Sequence, residues 1–325
     1  MKVAVGIDVS KLKLDVAILL PGGTPARFEV PNTPCGQKSL LRRAQALSKG
    51  EPLHFCMETT GPYHWKLALF LIESGELVSV ENPRRVKHYG VVIGSVQKTD
   101  RADAFVIARY AQALDPKPWR LAEPHIRELS MVDRRITELK VMQNQETNRL
   151  EMPCLPALVR KGIQTSVKTF QKQIEVLERR IDQILIEHDE LNRACGLLTT
   201  IPGIAKRAAV GLLAEVGDLN DYEHAQDLAA KLGLHPRLRR SGSSLVGRSK
   251  ISKAGNAHAR GRLYMPTVVA IRLNRIIRDF YTKQVDNHKP KKSALIAAER
   301  KLVMICYGVL KSGKPFDPHY RSLTT

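Results

Sequence analysis

Apolar and polar positions divide this chain into thirds of different character. In the first third, short apolar runs alternate with amphipathic stretches. KVAVGID (2–8) and LKLDVAILL (12–20) have the length and apolar density of buried strands, and ARFEV (26–30) follows the turn Pro21-Gly22-Gly23. Three strands joined by short turns predict an antiparallel meander. Leu40, Leu41, Ala44 and Leu47 share one helical face and predict a helix over 36–49. LHFCME (53–58) predicts a fourth strand, YHWKLALFLIES (63–74) a helix stopped by Gly75, and LVSVEN (77–82) a fifth strand. Further helices are expected at about 84–93 and 101–114.

The strand pattern disappears over 125–192. Val167, Phe170, Ile174, Leu177, Ile181 and Ile184 recur at alternating spacings of three and four, with charged residues between them. This is the a/d stripe of a coiled coil, read either as a helical hairpin packing on itself or as a contact between protomers. Pro153 and Pro156 separate it from an earlier helix carrying Leu129, Val132, Ile136 and Leu139. The last third is again mostly helical. Ile201-Pro202-Gly203-Ile204 has the form of a helix-hairpin-helix turn, whose backbone N–H groups can face a phosphate, and equally of an ordinary tight turn.

Charge narrows the choice of partner. The 325 residues carry 52 Lys and Arg against 32 Asp and Glu, a formal net charge of +20, which favours a polyanion. No apolar run approaches the roughly 20 residues needed to span a membrane, and the N-terminus enters a strand without a signal segment, so a cytoplasmic, nucleoid-associated protein is expected. The five cysteines show neither CxxC nor metal-ligand spacing and read as free thiols in a reducing compartment. Between residues 228 and 278 there is no Asp or Glu, while Lys and Arg number twelve. A solvated surface usually mixes both signs, so this stretch points to a phosphate backbone.

Candidate chemistry begins with four carboxylates. Asp8 closes the first predicted strand and Glu58 the fourth, while Asp100 and Asp103 lie in KTDRADA at the start of a predicted helix. A carboxylate at the end of a buried strand has no packing role and is costly to bury alone. Several converging would repel unless a cation lay between them, and an all-oxygen set suits Mg²⁺. Each acid has a plainer reading: Asp8 as a turn residue, Asp100 as an N-cap, Asp103 as an N3 acid favoured by the helix dipole. The order βββαβαβα and these acid positions resemble the ribonuclease H and RuvC-like nuclease fold.

The second constellation is HPRLRRSGSSLVGRSKISKAG, residues 235–255. Ser241 stands among Arg237, Arg239, Arg240, Arg248, Lys250 and Lys253, which are candidate nucleic-acid contacts. As a bare pattern this is a flexible basic loop. A serine becomes a nucleophile only where deprotonation is made easier and the phosphate is held. His235, preceding Pro236, is as readily a turn residue as a base.

GIDVSK, METTGPY, VENPRRVKHYG, KTDRADA, LLTTIPGI, HPRLRRSGSS, SKAGN and YGVLKSGKPFD occur in this order across nearly the whole chain. Together they resemble the transposases of the IS110 family of insertion sequences, DEDD-type recombinases guided by a bridge RNA. The resemblance implies an α/β RuvC-like catalytic domain over 1–124, a helical coiled-coil segment over 125–192 and a mostly helical C-terminal transposase domain over 193–325. It also implies Asp8, Glu58, Asp100 and Asp103 as Mg²⁺ ligands, Ser241 as nucleophile, noncoding bridge RNA with target and donor double-stranded DNA as partners, and a tetramer built as two dimers. A RuvC-like nuclease or junction resolvase using water as nucleophile is the alternative, and a nucleic-acid binder with a decayed nuclease domain is a third reading.

Overall fold

The computed structural model describes residues 2–59, 61–94, 100–237, 240–241, 245–246, 250–252, 255 and 257–319. For Asp100, Arg101, Arg237, Arg240, Ser241, Leu245, Val246 and Lys250 only the backbone is described. The chain folds as two compact units, Met1–Leu121 and Ala122–Thr325.

In the first unit, β1 (Val3–Val9), β2 (Lys13–Leu19) and β3 (Ala26–Pro31) form the expected antiparallel meander. They are followed by α1 (Pro34–Ser48), β4 (Leu53–Glu58), α2 (His64–Glu73), β5 (Leu77–Glu81), α3 (Pro83–Val92) and α4 (Asp100–Leu114). The sheet order is β3-β2-β1-β4-β5, with β4 parallel to both β1 and β5. Helix starts have local causes. The Thr33 hydroxyl accepts from the Gly36 N–H at 3.3 Å before Pro34 opens α1, and Asn82 accepts from the Arg84 N–H at 2.9 Å before Pro83 opens α3.

Alternation along the strands gives the sheet two unlike faces. Val3, Val5, Ile7 and Val9 of β1 pack with Leu40 of α1 and Leu67 and Leu71 of α2. The opposite face presents small side chains, Ala4, Ala17 and Cys56, to Ala104, Ile107, Ala108 and Ala111 of α4. Small residues let α4 come close. A Cβ on Gly6 would lie 2.2 Å from the Ala104 carbonyl oxygen and 2.2 Å from the Ala108 nitrogen, so only glycine fits there.

The second unit opens with a hairpin of two long helices, α5 (Pro124–Leu150) and α6 (Ala157–Glu187). Ile174, Ile181 and Ile184 of the heptad stripe are buried with Leu129, Ile136 and Leu139, so at these positions the stripe is covered within one chain. After α7 (Asp189–Thr199), the turn containing Gly203 leads into α8 (Lys206–Val216). Gly203 has φ +104°, and a Cβ there would lie 2.6 Å from Ala270 Cα, which accounts for the glycine by packing. Next come α9 (Ala225–Lys231) and the two-residue strands β6 (Pro236–Arg237), β7 (Arg240–Ser241), β8 (Leu245–Val246) and β9 (Lys250–Ile251). The unit closes with α10 (Ala257–Leu273), α11 (Arg275–Asp286) and α12 (Lys291–Ser312). No described helix is long and apolar enough to cross a membrane.

Asp133 and Glu299 lie inside this unit on opposite terms. Asp133 of α5 is clasped by Arg207 of α8, 2.9 Å away, and by Arg262 of α10, tying three helices together. Glu299 of α12 is fully buried, and among the described residues neither carboxyl oxygen has a hydrogen-bond partner.

Candidate active site

The first candidate cluster is built by strand register. Ile7 of β1 lies beside Met57 of β4, so the next residues, Asp8 and Glu58, occupy adjacent positions at the ends of neighbouring parallel strands. Asp8 is two residues beyond Gly6 and therefore on the face covered by α4. Asp103 immediately precedes Ala104, the residue pressed against Gly6, and Asp100 is the first residue of the same helix. Asp8, Glu58 and Asp103 thus stand on three neighbouring elements, β1, β4 and α4, of which α4 is pressed onto β1 at Gly6. Among the described residues, no three His, Cys, Asp or Glu side chains are grouped closely enough to hold a metal ion, and the Asp100 side chain is outside that description.

The same register reveals acids that the sequence reading passed over. Asp15 of β2 stands opposite Asp8, and Glu81 of β5 stands opposite Glu58. Both have partners nearby: Asp15 is buried 3.0 Å from Lys13 Nζ, and Glu81 lies 3.4 Å from Arg85 Nη1. Burial and then Glu81, which also accepts from its hydroxyl, push the Tyr110 phenol up. Glu81 was detectable, since it closes an apolar run in LVSVEN just as Glu58 closes LHFCME.

A Ser–His–Asp arrangement also exists in this unit, at the other end of the strands. His54 Nδ1 is 3.4 Å from Asp115 Oδ1, and its Nε2 is 2.8 Å from Ser79 Oγ. Ser79 is fully buried, and its hydroxyl is directed at the carbonyls of Pro116 and Lys117, 2.9 and 3.0 Å away. The imidazole must therefore donate to Ser79, and burial lowers its pKa despite Asp115. This cluster clamps the end of the unit to the sheet and exposes no nucleophile.

The serine segment is more ordered than a loop. Pro236 and Arg237 pair with Ile251 and Lys250, and Arg240 and Ser241 pair with Val246 and Leu245. The Ser252 N–H donates to the His235 carbonyl at 2.8 Å, extending the ladder one rung outward. Ser241 is the last described residue of β7 and stands opposite Leu245 of β8. Arg239, Arg248 and Lys253 lie outside the described residues, and Arg237, Arg240 and Lys250 are placed by backbone alone. At the root, Gly233 crosses Gly255: a Cβ on Gly255 would lie 2.3 Å from the Gly233 nitrogen. Arg260 of α10 donates to the Leu232 carbonyl at 2.9 Å and holds that crossing from below. Ser241 belongs to the second unit and the four acids to the first.

The comparisons with known proteins fall on both units. A transposase family model of the DEDD IS110 type matches residues 5–155, and one described as transposase IS116/IS110/IS902 family matches residues 195–282. Full-length relatives accompany them. The chain is 31% identical over 319 residues to a pilin gene-inverting protein of Moraxella bovis, covering 97% of this chain and 98% of that one. This chain belongs to the IS110 family of transposases. A pilin gene-inverting protein of Moraxella lacunata is likewise 31% identical, with the same coverage. A transposase for insertion sequence element IS1111A of Coxiella burnetii is 30% identical over 34% of this chain and 32% of its own. Membership in this family makes DNA the substrate class and strand rearrangement the class of activity.

Proposed function

We propose that this IS110-family transposase cleaves and rejoins DNA through a covalent phosphoserine at Ser241, and that its first unit is a RuvC-like domain. The observation that carries the acid assignment is the register that sets Asp8 beside Glu58 while Gly6 brings the helix bearing Asp100 and Asp103 onto the same strand. The sheet order and the mixed strand directions support the RuvC-like reading. An all-carboxylate set matches the preference of Mg²⁺ for hard oxygen donors, so Asp8, Glu58, Asp100 and Asp103 are the residues that would hold it. Bound there, Mg²⁺ would neutralise charge developing on a phosphodiester.

In this reading the Ser241 hydroxyl attacks the scissile phosphorus, an Oγ–P bond forms and the bond to the 3′-oxygen breaks. The serine proton ends on the released 3′-hydroxyl, directly or by relay. A 3′-hydroxyl from the exchanged strand then attacks the phosphoserine and returns the proton to Ser241. One phosphodiester replaces another, so no nucleotide cofactor is required. The paired strands β7 and β8 would present Ser241, with arginines on either side in sequence to bind phosphate oxygens. Site choice by base pairing with a noncoding RNA suits a protein that is only 5% aromatic and strongly basic, since backbone contacts position without reading sequence. A tetramer of two dimers would supply enough active sites for two duplexes.

The decisive experiment is Ser241→Ala beside Asp8→Asn on end-labelled donor and target DNA. The covalent reading expects Ser241→Ala to lose both cleavage and the protein–DNA adduct, and Asp8→Asn to lose cleavage while retaining nucleic-acid binding. Cleavage by Ser241→Ala near the wild-type rate would establish water as the nucleophile and refute the phosphoserine.

A further inference from the structure

Residues of helices α10, α11 and α12 line an open surface cleft of about 400 Å³ that the proposed reaction does not use. Its walls carry two phenol rings, Tyr264 and Tyr281, and its cations are Arg272, Lys291 and Lys292. Val268 and Leu295 supply its apolar part, and among the described residues no carboxylate lines it. Three like charges gathered round one cleft repel each other unless an anion relieves them. The two lysines are placed against local electrostatics as well. They open α12, where the helix dipole favours acids, and its first turn contains none.

Leu295 is buried and Ile271 and Tyr281 pack against the core, whereas Tyr264 and its neighbours on α10 face solvent. Tyr264 is 38% exposed, and Met265, Val269 and Leu273 on the adjoining face of α10 are 60%, 40% and 64% exposed. A patch that only bound duplex phosphates would need the cations and not the rings. Rings and cations together match a nucleotide whose base is not paired, stacking on one set and resting its phosphates on the other.

We propose that this cleft binds an unpaired nucleotide of a single-stranded nucleic acid, its base against Tyr264 and Tyr281 and its phosphates on Arg272, Lys291 and Lys292. The proposal rests on the reading that the chain acts on nucleic acid and is independent of the serine chemistry.

The test uses the full chain and three fluorescent probes of one sequence: a 12-nucleotide RNA, the matching DNA strand and its blunt duplex. Each is titrated across a salt series with the wild type, Tyr264→Leu, the triple variant Arg272→Ala/Lys291→Ala/Lys292→Ala, and a control that removes Lys161, Lys168 and Lys172 from α6. Tyr264→Leu is expected to weaken single-strand binding roughly ten-fold with an unchanged salt slope. The triple variant should flatten the slope of log affinity against log salt by about 2, the share of three phosphate contacts to a single strand. The α6 control should do neither, and the duplex should be indifferent to Tyr264→Leu. Stronger effects on RNA than on DNA would name RNA as the source, and the reverse would name DNA. Equal losses for duplex and single strands with Tyr264→Leu would overturn the proposal, as would wild-type binding that every variant retains. Failure of the wild type to bind any probe would instead sink the nucleic-acid reading itself, and the cleft with it.

Discussion

Glu299 gives this protein a pH-dependent liability of calculable size. Its carboxyl lies in the core of the second unit, where burial raises its pKa from 4.5 to about 7 against the opposing charge of Arg260. A folded-state value above the unfolded one means that the folded protein binds the proton more tightly. The associated stability is complete below about pH 4.5 and is lost as pH rises through 7. Integrated between those values, the ionised carboxylate costs about 3 kcal/mol at pH 8 and less than about 1 kcal/mol at pH 5. Glu299→Gln cannot ionise. Relative to wild type it should therefore gain roughly 2–3 kcal/mol between pH 5 and pH 8, on top of a constant offset from burying the amide. Urea unfolding followed by far-UV circular dichroism at several pH values measures this difference, with other titrating groups cancelling between the two proteins. Both tryptophans, Trp65 and Trp119, lie in the first unit, so tryptophan fluorescence reports that unit's transition alongside the circular dichroism. A stability difference that stays flat across this range would refute the assignment of Glu299 as an unpartnered buried acid.

Two further substitutions probe the contacts that set the architecture. Gly6→Ala inserts a methyl into the backbone of α4 and should cost about 1–3 kcal/mol, read from tryptophan fluorescence in urea, with a larger proportional loss of DNA cleavage; wild-type stability would show that α4 is not pressed onto β1. Asp133→Ala leaves Arg207 and Arg262 facing each other without their shared anion and should cost about 3–5 kcal/mol in the circular dichroism transition. A loss under about 1 kcal/mol would mean that the arginines find solvent instead.

Legibility in the sequence followed periodicity. The five strands and the helices between them were visible because period-two and period-3.6 patterns alternate cleanly through residue 114, and Asp8 and Glu58 stood out as polar ends to apolar runs. The partnership of those two acids was not visible, since it depends on β4 returning parallel beside β1. Nor could the meaning of Gly6 be read, because a close helix is a property of packing and not of local sequence. The serine segment was legible in a different degree. SGSS between basic residues has turn composition, and the pairing of Ser241 with Leu245 is made by backbone bonds that side-chain pattern does not encode. Glu299 did leave a trace, interrupting an apolar helical face between Leu295 and Leu302, but an acid at such a position is outwardly identical to one that reaches solvent.

The contact at Gly6 has a bearing on how this family tolerates change. The spacing between the strand that carries Asp8 and the helix that carries Asp103 is set by main chain touching main chain, with no side chain between them as a shim. Substitutions on the far face of the sheet, among Val3, Val5, Ile7 and their partners, can alter volumes and shapes without touching this separation. On the near face Ala4, Ala104 and Ala108 share the constraint with Gly6, so drift in the interior is free on one side of the sheet and confined on the other.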